Sequence, residues 1–64
     1  SPGEYIANRR INAAALLLET TDKTLSEIAA LTGYRDAYYF GRIFKKKTGF
    51  SPGRYRKLNF SKSS

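Results

Sequence analysis

Signals that begin helices recur along the whole 64-residue chain, and they constrain its fold more than any other feature. Ser-Pro dipeptides at positions 1–2 and 51–52 each supply a capping residue followed by proline at the first helical position. Thr24 with Glu27 three residues later, and Asp36, supply two more helix starts. No segment alternates apolar and polar residues as a half-buried strand does. The sequence therefore predicts an all-α fold. Its four helices are expected over about residues 2–19, 25–32, 37–47 and 52–58.

A helix-turn-helix is predicted over residues 25–47, where two of these helices are joined through Gly33. Glycine tolerates the left-handed conformation that ends a helix, and it allows a sharp reversal. Ala29 is small where the second helix would cross closely, and Tyr34 is expected to fill the gap between the two helices. Apolar residues at helical spacing predict the buried face of the second helix: Phe40, Ile43 and Phe44. Its outer face would then carry Ala37, Tyr38, Gly41, Arg42 and Lys45.

The first helix is apolar on two sides. Ile11, Ala14 and Leu18 share one stripe, whereas Tyr5 and Leu16 point nearly the opposite way. A helix that is apolar on two sides is usually buried on two sides. The second face is therefore expected to pack against a partner outside the helix-turn-helix.

The basic residues are concentrated in the second half of the chain. The formal net charge is +7, and residues 37–64 hold eight Lys and Arg with no Asp or Glu. Such a segment is typical of a protein that binds a polyanion, with nucleic acid first and an anionic membrane second. A solvated surface without a charged partner is the alternative that charge alone leaves open.

The composition argues against several classes of function. The chain has no cysteine and no histidine, so it lacks the commonest metal ligands and the usual general base. Its five carboxylates are scattered, and no catalytic constellation can be assembled from them. No apolar run approaches the ~18 residues of a membrane span. We therefore expect no enzyme activity, no cofactor, no metal and no membrane partner, and we expect a soluble cytoplasmic protein.

The stretch LSEIAALTGYRDAYYFGRIFKKKTGFSPGRYRK, at residues 25–57, carries a long series of residue types at fixed spacing. The series consists of Glu27, Ile28, Ala29, Gly33, Tyr34, Asp36, Tyr39, Phe40, Arg42, Phe44, Lys45, Lys46, Gly49, Ser51, Pro52, Tyr55 and Arg56. On these positions the stretch resembles the second helix-turn-helix of the AraC/XylS family of bacterial transcription regulators. Upstream, the chain is similar to the long linker helix of that family at Tyr5, Arg10, Ala14, Leu17 and Leu18.

The resemblance implies a small helical DNA-binding domain with three regions. Residues 1–20 would form the linker helix, residues 21–58 the helix-turn-helix unit with a short C-terminal helix, and residues 59–64 a disordered tail. Double-stranded DNA is the implied partner, with a recognition helix of about residues 37–47 in the major groove. RNA polymerase is a further candidate partner, and association with the bacterial nucleoid is expected.

A repeated phrase fits the same resemblance. SPGEY at residues 1–5 shares four of five letters with SPGRY at residues 51–55. In the family, S-P-x-x-Y follows each of two helix-turn-helix units, so the first copy implies an upstream unit, together with an effector or dimerisation domain, that this chain lacks. The alternative is that Ser-Pro recurs only because it begins helices well.

Four residues on the outer face of the recognition helix are the candidates for base readout: Ala37, Tyr38, Gly41 and Arg42. Arg42 has the reach for a bidentate contact to guanine, with a phosphate contact or solvation as alternatives. Tyr38 would meet a thymine methyl group or a phosphate, or remain a surface aromatic residue. Ala37 and Gly41 are short where the family often carries polar side chains. Ala37 is suited to touch a thymine methyl group, and Gly41 allows close approach to the DNA.

Six residues are the candidates for phosphate contacts: Thr24, Ser26, Arg35, Lys45, Lys46 and Arg56. Thr24 is first of all a cap, and internal hydrogen bonding is the alternative for Arg56. The resemblance implies partial burial of Tyr39, so core packing is expected for it, with base readout as the alternative. Arg10 is expected to form a structural ion pair. If about five to seven cations meet phosphates, log affinity should fall against log salt with a slope of about −4.5 to −6. The chain alone is then expected to bind at about micromolar concentration with little sequence discrimination.

A sequence-specific DNA-binding module of a transcription regulator is the leading interpretation. The second is a basic helical protein of the nucleoid type that coats nucleic acid without reading bases. Excess random DNA separates the two, because a coat has no preferred site. A membrane-active cationic helix is the third, and its aromatic face would first have to leave the core.

Overall fold

The computed structural model describes residues 1–60, and this part of the chain consists of four helices joined by short turns, without a strand. The helices are α1 Pro2–Thr20, α2 Leu25–Leu31, α3 Ala37–Thr48 and α4 Pro52–Asn59. The predicted all-α fold is confirmed, and each helix ends within one residue of its expected end. Of the predicted tail, Asn59 ends α4 and Phe60 is its C-cap, while residues 61–64 lie outside the described residues.

Each helix begins where the sequence supplies a capping side chain. The four N-caps each accept a hydrogen bond from the backbone N–H three residues on: Ser1, Thr24, Asp36 and Ser51. The capping box of α2 is complete. The hydroxyl of Thr24 accepts from the Glu27 N–H at 3.1 Å, and the Thr24 N–H donates to a Glu27 carboxylate oxygen at 2.9 Å. These local bonds fix the start of α2 and α3 independently of tertiary packing.

Gly33 makes the turn of the helix-turn-helix possible. Its φ is 96°, in the left-handed region that L side chains rarely adopt. A Cβ at this position would also lie 3.0 Å from the Arg10 Nε, so a side chain here would require the Arg10 guanidinium to shift. The reversal brings the backbone N–H of Tyr34 to the carbonyl of Ala29 at 2.8 Å and points α3 across α2.

The core lies between α1 and the helix-turn-helix. Its buried residues come from α1, α2, the turn and α3: Ile11, Ala14, Leu18, Ile28, Ala29, Tyr34, Phe40 and Phe44. Aromatic rings run through it in series, with centroids 5.7 Å apart for Tyr34 and Phe40 and 5.6 Å apart for Phe40 and Phe44. Phe40 and Phe44 are confirmed as the buried face of α3, while Ile43 is only partly buried. Because that face is fixed inward, the opposite face of α3 is fixed outward.

Helix α4 is held against the end of α1 by two side chains of the second S-P-x-x-Y-R segment. The Tyr55 hydroxyl donates to the Glu19 carboxylate at 2.5 Å, and its ring meets Phe44 edge-on with centroids 5.2 Å apart. The Arg56 guanidinium donates to the Leu18 carbonyl at 3.1 Å and to the Thr21 carbonyl at 2.8 Å. These contacts orient α4 so that its first residues lie beside the outer face of α3.

Two expectations from the sequence are wrong. Arg10 forms no ion pair with the described carboxylates; its Cζ lies 5.5 Å from the centroid of the Tyr34 ring, as a cation stacked on an aromatic face. Tyr39 is 52% exposed and not packed in the core, although its ring lies near Tyr34. None of the helices among residues 1–60 combines the length and the apolar character needed to cross a membrane.

Candidate nucleic-acid interface

The outer face of α3 and the start of α4 together form an open groove with a volume of about 570 Å³. The side chains that line it come from both helices: Ala37, Tyr38, Gly41, Arg42, Lys45, Lys46, Ser51 and Pro52. All four residues predicted to read bases are therefore together, with two of the six predicted phosphate contacts beside them. The groove is walled by apolar atoms and carries its cations on one side.

Arg42 and Tyr38 form a pair on the exposed side of the groove. They are four residues apart on α3, so they occupy successive turns of the same face. The Arg42 Nη1 donates to the Tyr38 hydroxyl at 3.4 Å, and the Arg42 Cζ lies 5.9 Å from the centroid of the Tyr38 ring. Tyr38 is 74% exposed, so the pair is accessible to a large ligand. The ring and hydroxyl hold the guanidinium beside Tyr38 along the exposed face of α3.

Ala37 and Gly41 lie one turn apart on the floor of the groove, where both are half-buried. A Cβ at Gly41 would stand 3.9 Å from the Pro52 Cδ, which shows how closely α4 approaches α3 here. Their small size keeps the floor low between Tyr38 and α4.

Lys45 and Lys46 extend from the last turn of α3 at the edge of the groove, where both are exposed. Neither lies within 4.0 Å of a described carboxylate, so both ammonium groups are available to an anion. Lys47 differs. Its Nζ lies 3.9 Å from a Glu4 carboxylate oxygen and links the end of α3 to the start of α1.

Arg35 is exposed in the turn before α3, away from the groove. It borders a second cavity of about 460 Å³ between α1 and the turn, with Arg10 and Tyr34 among its other walls. The Tyr34 hydroxyl is buried without a hydrogen-bond partner among the described residues, and this burial raises the pKa of Tyr34. The structure does not bring Arg35 to the groove lined by Arg42.

Thr24 and Ser26 lie at the start of α2, where both are exposed. Thr24 is confirmed as a cap. The Glu27 carboxylate, however, accepts from the Thr24 N–H, and its negative charge occupies the end of α2 that an anion would otherwise approach. The Thr24 hydroxyl thus serves as a cap and the Ser26 hydroxyl is accessible, and the phosphate contacts of both residues stay predictions.

Arg56 is hydrogen-bonded within the fold. Its guanidinium is half-buried and hydrogen-bonded to two carbonyls at the end of α1, so internal bonding, the alternative given for it, is the one observed. The neighbouring Tyr55 side chain also makes its contacts within the fold, to Glu19 and Phe44. The pKa of Tyr55 is raised, mainly by its hydrogen bond to Glu19 and secondly by burial of the phenol.

Ser51 and Pro52 are the lining residues that sequence reasoning missed. In the sequence this dipeptide indicates only a helix start, because its spacing carries no information about which helix lies next to it. The approach of Pro52 to Gly41 depends on how α4 packs against α1 and α3. The signal that was available is the short connection of three residues between Thr48 and Pro52, which keeps the start of α4 near the end of α3.

Comparison with known proteins agrees with this geometry. A family profile described as a helix-turn-helix domain matches residues 1–58. The chain is 43% identical over 56 residues to the bifunctional transcriptional activator/DNA repair enzyme AdaA of Bacillus subtilis, covering 88% of this chain and 26% of that protein. It is also 43% identical over 56 residues to the melibiose operon regulatory protein of Escherichia coli, covering 88% of this chain and 18% of that protein. The chain thus spans about a fifth to a quarter of the length of these relatives.

Two solved structures share the fold. The C-terminal domain of the two-component response regulator YesN from Fusobacterium nucleatum superposes with a TM-score of 0.83 at 39% identity, covering 84% of this chain and 52% of that one. The xylose-binding transcription activator XylR superposes with a TM-score of 0.77 at 33% identity, covering 81% of this chain and 14% of that one. The chain therefore belongs to the helix-turn-helix family of the AraC/XylS type, the DNA-binding modules of bacterial transcription regulators.

Proposed function

We propose that the chain binds double-stranded DNA by inserting α3 into the major groove, as one reading unit of a longer transcription regulator. The observation that carries this proposal is the groove itself. It unites the accessible Tyr38–Arg42 pair with unpaired lysines on a face that no other described element covers. An α-helix fits the major groove of B-DNA, and the first turns of a recognition helix face the base edges.

Within this proposal Arg42 makes the base-specific contact. A guanidinium donates two parallel hydrogen bonds to the O6 and N7 of guanine, and such a pair is worth about 1–3 kcal/mol of discrimination. Tyr38 holds Arg42 in position and lies against the neighbouring backbone or base. Ala37 and Gly41 allow the helix to approach the base edges closely, because neither side chain extends beyond a methyl group.

We propose fewer phosphate contacts than the sequence predicts. Arg35, Lys45 and Lys46 keep this role as cations, and Ser26 keeps it through its hydroxyl. Arg56 leaves the set because its guanidinium is bound to carbonyls, and Thr24 leaves it because of Glu27. With these three cations, or four if Arg42 also meets a phosphate, the log–log salt slope should be about −2.7 to −3.6.

The exposed apolar face of α1 supports a second helix-turn-helix unit as a neighbour. Tyr5 is 62% exposed and Leu16 60% exposed. The matching tyrosine of the second S-P-x-x-Y phrase, Tyr55, is packed on Phe44 of the unit that precedes it. By the same geometry Tyr5 would pack on the core of a preceding unit. An effector or dimerisation domain, contact with RNA polymerase, a cytoplasmic location and the absence of enzyme activity complete the proposal for the whole regulator.

Titration of labelled duplex DNA, followed by fluorescence anisotropy, tests the function. Arg42→Ala should weaken binding to a preferred duplex by about fivefold to 150-fold, since the loss of a bidentate contact corresponds to about 1–3 kcal/mol. Arg9→Ala is the matched control. Arg9 donates to the Tyr5 hydroxyl at 3.3 Å with its Cζ 5.9 Å from that ring, so the same kind of pair is broken on a helix outside the groove.

Two outcomes would contradict the proposal. Equal losses for Arg42→Ala and Arg9→Ala would mean that α3 has no special part in binding. Random DNA that competes as effectively, mass for mass, as the unlabelled preferred duplex would favour the coating protein, because a coat has no preferred site.

A further inference from the structure

Gly41 lies in the interior of α3, where nothing in the fold requires a glycine. Among the described residues, the glycines with positive φ are Gly33 and Gly49, so Gly41 has an ordinary helical backbone. A Cβ at position 41 would meet its nearest neighbour at an ordinary van der Waals distance, so packing does not exclude a side chain either. A glycine in a helix interior weakens the helix relative to alanine. What this glycine provides is open space in the floor of the groove.

The walls around this space are apolar and come from two helices. Ala37 lies one turn before Gly41 on α3, and Pro52 at the start of α4 closes the opposite side. None of these three residues has a side-chain hydrogen-bonding group. Arg42 and Lys45 stand beside them on the same groove. The result is a shallow apolar recess next to a cationic, hydrogen-bonding side chain.

We propose that Ala37, Gly41 and Pro52 form a recess for the 5-methyl group of a thymine, adjacent to the base that Arg42 contacts. The proposal rests on the proposed function, since it requires α3 to lie in the major groove. The thymine methyl is the one apolar group that the unmodified bases display there. An apolar recess without hydrogen-bonding side chains selects for that methyl group and cannot distinguish bases in any other way. Pro52 makes α4 a part of base reading, although α4 lies outside the helix-turn-helix.

Replacement of thymine by deoxyuridine isolates the methyl group, because the two bases share every hydrogen-bonding atom. Preferred duplexes are first selected by the chain from a random pool at about 50 mM potassium chloride, where phosphate contacts are strong. Each thymine is then replaced singly, and the Kd is measured by fluorescence anisotropy. One replacement should weaken binding about fourfold, the value of one methyl group removed from water.

Gly41→Ala should abolish this difference, because its own methyl group fills the recess and the thymine duplex then binds no better than the deoxyuridine duplex. The same variant should raise Tm by about 4 to 8 °C, since alanine replaces glycine inside a helix. A gain in stability together with a loss of discrimination separates occlusion of the recess from unfolding. Gly53→Ala is the control: a Cβ there has nothing within 4 Å, and Gly53 does not line the groove, so the fourfold difference should persist.

The outcomes distinguish the two levels of the proposal. Because the chain alone is expected to discriminate only weakly, several rounds of selection are used; if they enrich no duplex even weakly over the random pool, the proposed base-reading function fails and the recess fails with it. If a preferred duplex is found but every deoxyuridine replacement is neutral, the recess alone is wrong. A thymine effect that survives in Gly41→Ala also overturns the recess while leaving the reading function intact.

Discussion

Substitution of Arg56 tests directly whether this residue stabilises the fold or binds DNA. Its guanidinium donates to the carbonyls of Leu18 and Thr21, at 3.1 and 2.8 Å, where α1 has run out of intrahelical donors. Hydrogen bonds from charged groups contribute about 1.5–3 kcal/mol each, and Arg56 is only half-buried, so the lower end applies and the pair is worth about 3 kcal/mol. A domain of this size has a total stability of only about 3–10 kcal/mol.

Arg56→Gln should therefore lower the free energy of unfolding by about 2 kcal/mol, because the amide can still donate to one carbonyl. The measurement is urea unfolding followed by far-UV circular dichroism. The log–log salt slope of DNA binding, measured at a temperature where the variant remains folded, should not change. Lys45→Gln is the comparison: its stability should match the unsubstituted chain, and its slope should become shallower by about 0.9. An Arg56→Gln variant of undiminished stability with a slope shallower by about 0.9 would refute the internal role.

Two further predictions concern tyrosines. Tyr38→Ala should reduce discrimination for guanine about threefold to tenfold, because holding a flexible side chain such as Arg42 in place contributes about 0.5–1.5 kcal/mol. In an Arg42→Ala background the same change should have no effect on discrimination. An equal effect in both backgrounds would show that Tyr38 does not act through Arg42. The raised pKa of Tyr55 means that the folded state holds the phenol proton more tightly than the unfolded state, in which the pKa is 10.0. The free energy of unfolding should therefore fall as the pH rises above about 10. Tyr55→Phe removes this phenol, so its free energy of unfolding, measured by urea unfolding across that pH range, should fall less steeply.

The helices were predictable because their determinants are local. Thr24, Asp36 and the two serines cap within three residues of themselves, and Gly33 turns the chain through its own backbone freedom. The burial of Phe40 and Phe44 was also predictable, because large apolar residues four positions apart share one side of a helix. Interactions within one turn of a helix can be predicted from the residues of that turn alone.

The partners of long charged side chains were not predictable in the same way. The sequence predicts an ion pair for Arg10, but its guanidinium lies over the Tyr34 ring instead. Arg56 had two possible destinations, and only the docking of α4 against α1 decides between them. Pro52 entered the groove for the same reason. These contacts join residues up to 38 positions apart, and no pattern in a single sequence fixes such distances.

The hydrogen bonds between α1 and α4 tie the first helix to the groove that α3 and α4 line. At the end of α1, Glu19 accepts a hydrogen bond from Tyr55, while the carbonyls of Leu18 and Thr21 accept from Arg56. Pro52, three residues before Tyr55 on α4, lies next to Gly41 of α3. Because α4 is bonded to the end of α1, the position of α1 sets how closely Pro52 stands to Gly41, and with it the width of the groove. The first helix therefore shapes the groove although none of its own residues lines it.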